Sequence, residues 1–141
     1  LSEAYNWDDI DLGMTELEQH YHALVSAAAP ACVVIAGFSA GAHIAQRAII
    51  TKRIAANGLL WVEGRPDPDL KAIALAHQPH DFRAFFAFGR SQDFAQSAES
   101  FVQTFGEVGI ACAFESLDTD YHEIPASFAH TLDRALAFLC P

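Results

Sequence analysis

The sequence predicts an α/β domain: three layers, α/β/α, around a mainly parallel sheet of about four strands. Three observations carry this reading. Short apolar runs alternate along the chain with stretches whose apolar residues recur at helical spacing, the pattern of parallel strands joined by crossover helices. The runs are apolar throughout rather than alternating, as strands covered on both faces must be. Single Gly, Pro and Asn residues punctuate the boundaries, and no repeat or low-complexity tract interrupts the order.

The elements follow in turn. Met14, Leu17, Tyr21, Leu24, Val25 and Ala28 lie on one helical face; Thr15 and Glu18 have the spacing of a capping box, and Pro30 ends the helix. Residues 31–38 read as a buried strand. A second helix is expected from Ser39 to Ala56, with Lys52 and Arg53 in its last turn and Asn57-Gly58 as its cap. Leu59-Leu60-Trp61-Val62 is a second strand, followed by loop at 64–68, and 69–81 is either a short helix or an irregular excursion. Ala84 to Phe88 is a third strand. A helix with Phe94, Ala98, Phe101, Val102, Phe105 and Val108 inside follows it, broken by Gly109. Ile110 to Phe114 is a fourth strand. The last helix buries Phe128, Leu132, Ala135, Leu136 and Leu139, with Pro125 in its first turn.

The chain has 141 residues, 52% of them apolar, enough for one domain with a real core. A formal net charge of -10 argues against nucleic acid or an anionic membrane surface as partner. The acidic clusters at Asp8-Asp9 with Asp11, and at Asp118 and Asp120, read as solvated loops or helix starts. Tyr21 to Gln46 carries no Asp, Glu, Lys or Arg, but Pro30, Gly37, Ser39, Gly41 and His43 make it a helix end, a strand and a second helix rather than a membrane span. Three cysteines, Cys32, Cys112 and Cys140, form no CxxC pair; Cys32 and Cys112 read as small hydrophobes in apolar runs, which fits a reducing compartment. With no basic segment leading an apolar one near the start, the expected location is cytoplasmic. No zinc-ligand spacing occurs, and neither metal nor cofactor is expected.

The chemistry concentrates at Gly37-Phe38-Ser39-Ala40-Gly41, placed between a strand and a helix. A Gly-x-Ser-x-Gly in that setting is the pattern of a nucleophile elbow: a tight turn that holds a serine hydroxyl clear of the strand end. In a parallel sheet function collects at the carboxyl ends of the strands. Asp93 follows the third strand and His122 the fourth, so Ser, Asp and His occur in the order of a hydrolase triad. Asp118 and Asp120 compete with Asp93 for the role of acid. Among the other histidines, His43 is expected near the site, His20, His22 and His130 on helices, and His77 and His80 near the cleft. Phe85, Phe86, Phe88 and Phe94 read as core, with an apolar acyl pocket as the alternative.

Together these residues resemble the α/β-hydrolase fold and, within it, the carboxylesterase/phospholipase-like serine hydrolases. The resemblance rests on the pentapeptide, on the Phe88-Gly89-Arg90-Ser91-Gln92-Asp93 turn and on Asp120-Tyr121-His122-Glu123-Ile124-Pro125; it covers residues 31 to 139, and Tyr5-Asn6-Trp7-Asp8 more faintly. It implies Ser39 as nucleophile, His122 as general base and acid, Asp93 as orienting acid and the Ala40 N–H as one oxyanion donor. It implies a small-molecule ester as substrate. A serine peptidase or acyltransferase with the same triad, or a non-catalytic binding module, are the other readings. The family's strands before the elbow strand, and the loop carrying its second oxyanion donor, have no counterpart here. The expectation is therefore a single domain over 1–141 that holds the C-terminal half of the sheet and lacks its N-terminal strands. An elbow strand left unpaired on one side would need another chain to cover it, so a homo-oligomer is a further expectation.

Overall fold

In the computed structural model the described residues are 9–64, 67–90 and 92–141, those of 92–98 by backbone alone. Helix α1 (Ile10–Ala28) leads into strand β1 (Val34–Phe38), and the chain then runs α2 (Ala40–Ile50), β2 (Gly58–Val62), α3 (Leu70–Ala76), β3 (Arg83–Phe88), α4 (Gln92–Glu107), β4 (Ala111–Ser116) and α5 (Phe128–Leu139). The ambiguous stretch before β3 thus contains a short helix. The four strands are all parallel, in the order β1-β2-β3-β4, with Phe38 beside Val62, Val62 beside Ala87 and Ala87 beside Glu115 at their carboxyl ends.

Period-two geometry divides each strand between two cores. Leu59, Trp61, Ala84, Phe86 and Phe88 face one side, where they meet Met14 of α1, Ala45, Ala48 and Ile49 of α2, Leu70 and Ala74 of α3, and Phe101 and Phe105 of α4. Leu60, Val62, Phe85 and Ala87 face the other, against Ala135 and Leu139 of α5. The strand phenylalanines are therefore core. Phe86 and Phe88 are fully enclosed among the rings of Trp61, Phe101 and Phe105, which removes them, with Phe85, from any acyl pocket. The Phe94 side chain lies outside the described residues.

Several boundaries differ from expectation for local reasons. Helix α1 starts at Ile10 because Asp9 caps it, accepting the Leu12 N–H at 2.9 Å. Thr15 and Glu18 are already inside that helix: Thr15 donates to the Asp11 carbonyl, and Glu18 pairs with Arg53 at 2.9 Å. Helix α2 stops at Ile50 rather than Ala56, because Lys52 turns to φ 61. Asn57 is no helix cap. Its Oδ1 accepts the Val33 N–H at 2.8 Å and so stitches the start of β1 to the start of β2. Helix α5 begins at Phe128, with Pro125 in the turn before it.

Two expectations need larger corrections. Among the described residues β1 has one neighbour, so the strand read as buried is a half-exposed edge with Ala36 in the open. Cys32 is not a free thiol. A disulfide joins it to Cys140 across a Cα–Cα distance of 6.1 Å, which ties the approach to β1 to the end of α5. Cys112 is free, and it alone remains of the cysteine argument for a reducing compartment. Among the described residues no helix is long and apolar enough to cross a membrane.

Candidate functional site

Four strands ending on one edge bring four polar segments together. Ser39 follows β1, Glu63 follows β2, Gly89 follows β3, and the 117–123 loop follows β4. Backbone bonds continue the sheet past the strand ends and fix these segments: Ser39 N–H to Val62 O at 2.9 Å, Glu63 N–H to Ala87 O at 3.0 Å, Arg90 N–H to Thr119 O at 2.9 Å.

Ser39 has φ 53 and ψ -122, a conformation that L-residues rarely adopt and that a sharp strand-to-helix turn demands. Gly37 makes the turn possible. A Cβ there would stand 2.5 Å from Ala42 Cα and 2.5 Å from the Gly41 carbonyl oxygen. Gly41 is different: a Cβ on it meets nothing within 4 Å among the described residues, so the second glycine is not forced by a collision there. Ala40 is the first residue of α2, where an N–H has no partner within the helix.

His122 arrives on a loop organised by Thr119. The Thr119 hydroxyl accepts the Tyr121 N–H at 3.0 Å and donates to Glu123 Oε1 at 3.0 Å, and the residue is buried. The imidazole Nε2 lies 2.8 Å from Ser39 Oγ, between residues 83 positions apart. Its ring also stacks on Phe38, the residue before the serine.

On the other side of the imidazole, Nδ1 stands 3.8 Å from Oε2 of Glu63. The Glu63 side chain has no exposed surface, and its Oε1 accepts the Gly89 N–H at 2.5 Å. Burial raises its pKa above the usual carboxylate value, while the Gly89 N–H and the His122 ring pull it back down. Sequence reading missed this residue. The signal was present: Glu63 directly follows a fully buried strand, at the same edge as Ser39 and His122.

The structure brings Ser39 and His122 together. It places Asp93 in the first turn of α4, after β3, but the Asp93 side chain lies outside the described residues. Of the competing acids, Asp118 is exposed and paired with Arg90, and Asp120 is exposed. His43 sits edge-on to Trp61 at 6.0 Å. His77 and His80 precede β3 and so lie at the opposite edge of the sheet, each ring within 2.8 Å of a carbonyl of α3. His20, His22 and His130 are exposed on α1 and α5. Among the described residues no cluster of His, Cys, Asp or Glu could hold a metal ion. A hydroxyl against one imidazole nitrogen, with a carboxylate beyond the other, can move a proton from the serine oxygen to the ring and back.

The fold has counterparts among solved structures. An uncharacterized protein from Bacillus cereus ATCC 10987 superposes with a TM-score of 0.81 at 25% identity, over 99% of this chain and 46% of that one. Esterase PE8 gives a TM-score of 0.72 at 17% identity, over 92% of this chain and 60% of that one. MGS-M1, an α/β hydrolase enzyme from a Medee basin deep-sea metagenome library, gives 0.62 at 15% identity, over 99% and 66%. The fold is that of the α/β-hydrolases. No protein-family model matches the sequence, and no curated protein matches it. The chain spans between 46% and 66% of the length of these three structures.

Proposed function

We propose that this chain carries the reacting residues of a serine hydrolase that cleaves carboxylic esters of small molecules through an acyl-enzyme on Ser39. The observation that supports this most is the 2.8 Å approach of Ser39 Oγ to His122 Nε2 at the carboxyl edge of a parallel sheet. Ser39 Oγ attacks the ester carbonyl as its proton passes to His122 Nε2, and the Ala40 N–H donates to the carbonyl oxygen as it becomes an oxyanion. The imidazolium then protonates the departing alkoxide, which leaves as the alcohol and leaves the acyl group on Ser39. Water, losing its proton to the same Nε2, attacks the acyl carbonyl. The acid departs and the proton returns to Ser39. Asp93, by its position after β3, is the proposed carboxylate that orients the ring.

The ester preference draws on the resemblance to carboxylesterases and on the likeness to esterase PE8. The test uses the full-length protein. A fluorophosphonate probe should label Ser39, lose all labelling in Ser39→Ala, and be accompanied by turnover of short p-nitrophenyl esters without peptide cleavage. Absence of labelling would instead favour a non-catalytic binding module. Cleavage of peptides, or acyl transfer to an alcohol in preference to water, would move the reaction to the peptidase or acyltransferase class. Near wild-type turnover in Asp93→Asn would remove Asp93 from the mechanism.

A further inference from the structure

Glu63 is a carboxylate in a place that penalises one three times over. Its side chain is wholly enclosed. Its backbone has φ 52, in the left-handed region that strains a residue with a Cβ. Its Oε2 is buried with no hydrogen-bond partner among the described residues. Packing explains none of these, because an apolar side chain would fill the same volume without the charge. A buried, unsatisfied polar atom calls for a specific account.

The surroundings supply one. The carboxylate is not loose: its other oxygen is held by the Gly89 N–H, and a Cβ on Gly89 would come within 2.9 Å of that oxygen, so the neighbouring strand end is shaped to admit it. With Oε1 fixed, Oε2 faces the His122 ring at 3.8 Å from Nδ1. Hydrogen bonds of this kind are commonly long before substrate binds and shorten in the reacting complex. The left-handed residue follows directly on β2, and the Glu63 N–H still bonds the Ala87 carbonyl at 3.0 Å, so the side chain stays at the carboxyl edge of the sheet.

We infer that Glu63 is a positioning residue for His122: its Oε2 accepts the Nδ1 proton, fixing the tautomer that leaves Nε2 free for Ser39 and stabilising the imidazolium formed during attack. This rests on the serine-hydrolase reading. It puts a positioning carboxylate at the end of β2, in addition to the one proposed after β3. Glutamine at this position would keep the Gly89 bond through its Oε1 but turn an NH2 toward Nδ1, where it opposes the productive tautomer. Aspartate would keep the charge at a greater distance.

The experiment compares wild-type full-length protein with Glu63→Gln, Glu63→Asp and Asp93→Asn on p-nitrophenyl acetate, with thermal unfolding measured alongside. Glu63→Gln should fold, lose at least about tenfold in kcat, and hold KM within about threefold, because the interaction acts on proton transfer rather than on binding. Glu63→Asp should recover part of that loss, which a purely structural role would not produce. A Glu63→Gln enzyme with kcat within about twofold of wild type would overturn the inference. So would a kcat loss that only tracks the unfolded fraction, with Glu63→Asp impaired to the same degree. Full activity in Glu63→Gln beside a large loss in Asp93→Asn would assign the role to Asp93 alone. An inactive, unlabelled wild type would count against the hydrolase reading itself, an outcome separate from all of these.

Discussion

The ring of Phe38 stacks on the imidazole of His122, with centroids 4.9 Å apart and 28° between the planes. Phe38 ends β1 and its side chain packs toward the α5-side core, so a residue of the sheet itself braces a residue carried on an exposed loop. An aromatic contact of this kind contributes about 0.5–1.5 kcal/mol. If it holds the imidazole in register with Ser39, Phe38→Ala should lower kcat by about two- to tenfold. Phe38→Tyr, which keeps the face, should lose less. Steady-state kinetics on a p-nitrophenyl ester decides this, and equal rates for all three proteins would exclude a bracing role.

The backbone at Ser39 predicts a trade between stability and activity. A non-glycine residue at φ 53 and ψ -122 carries strain of about 1–3 kcal/mol, which glycine relieves at an entropic cost of about 0.5–1 kcal/mol. Ser39→Gly should therefore be more stable than Ser39→Ala by roughly 1 kcal/mol, although both lose the hydroxyl. Denaturant unfolding of the two variants gives the difference. A more stable alanine variant would show that the turn is not strained.

The two motif glycines should behave differently. Gly37→Ala drives a methyl into the Ala42 backbone, which cannot move without shifting α2, and should cost about 2–3 kcal/mol or prevent folding. Gly41→Ala places its methyl where no described residue comes within 4 Å, in the first turn of a helix, where alanine gains up to about 1 kcal/mol of helix propensity. Its unfolding midpoint should equal or exceed that of wild type. Equal destabilisation of both variants would contradict the geometry of the turn.

Glu63 also makes stability depend on pH, with a definite sign. Burial raises its pKa, so the folded protein keeps the proton at pH values where the unfolded chain has released it. Its contribution is present in full below the ordinary glutamate value and is lost as pH rises through the raised one. Glutamine has no proton to lose. The gain in unfolding midpoint of Glu63→Gln over wild type should thus be larger at about pH 8 than at about pH 4. A difference that is the same at both pH values would mean that burial does not control this group.

Much of this was legible in the sequence because buried parallel strands leave a strong local mark. Leu59 to Val62 and Ala84 to Phe88 have no other plausible place than the middle of a sheet, and the pentapeptide fixes where β1 turns into α2. Knowing the strand ends then points to Ser39 and His122, since the fold gathers those ends on one edge. What stayed hidden depends on contacts distant in sequence. A glutamate between Val62 and Gly64 follows a buried strand yet reads locally as the first solvated residue of a loop; its enclosure, with Oε1 taking the Gly89 N–H and Oε2 facing His122, comes from segments distant in sequence. Asp9 caps α1 in place of the Thr15 and Glu18 pair, which fits the same local rule but lies inside the helix. Nothing near Cys32 or Cys140 announces the other.

That pairing has a topological consequence. The bonded cysteines are 108 positions apart in the chain, and Ser39, Glu63, Asp93 and His122 all lie between them. The site is therefore enclosed in a covalent ring. A protease that cuts once, anywhere in that interval, opens the ring but releases no fragment, and the two pieces migrate as one molecule until a reductant is added. A pulling force that enters through Cys32 and Cys140 is carried by the crosslink and bypasses the strand ends where the site is assembled.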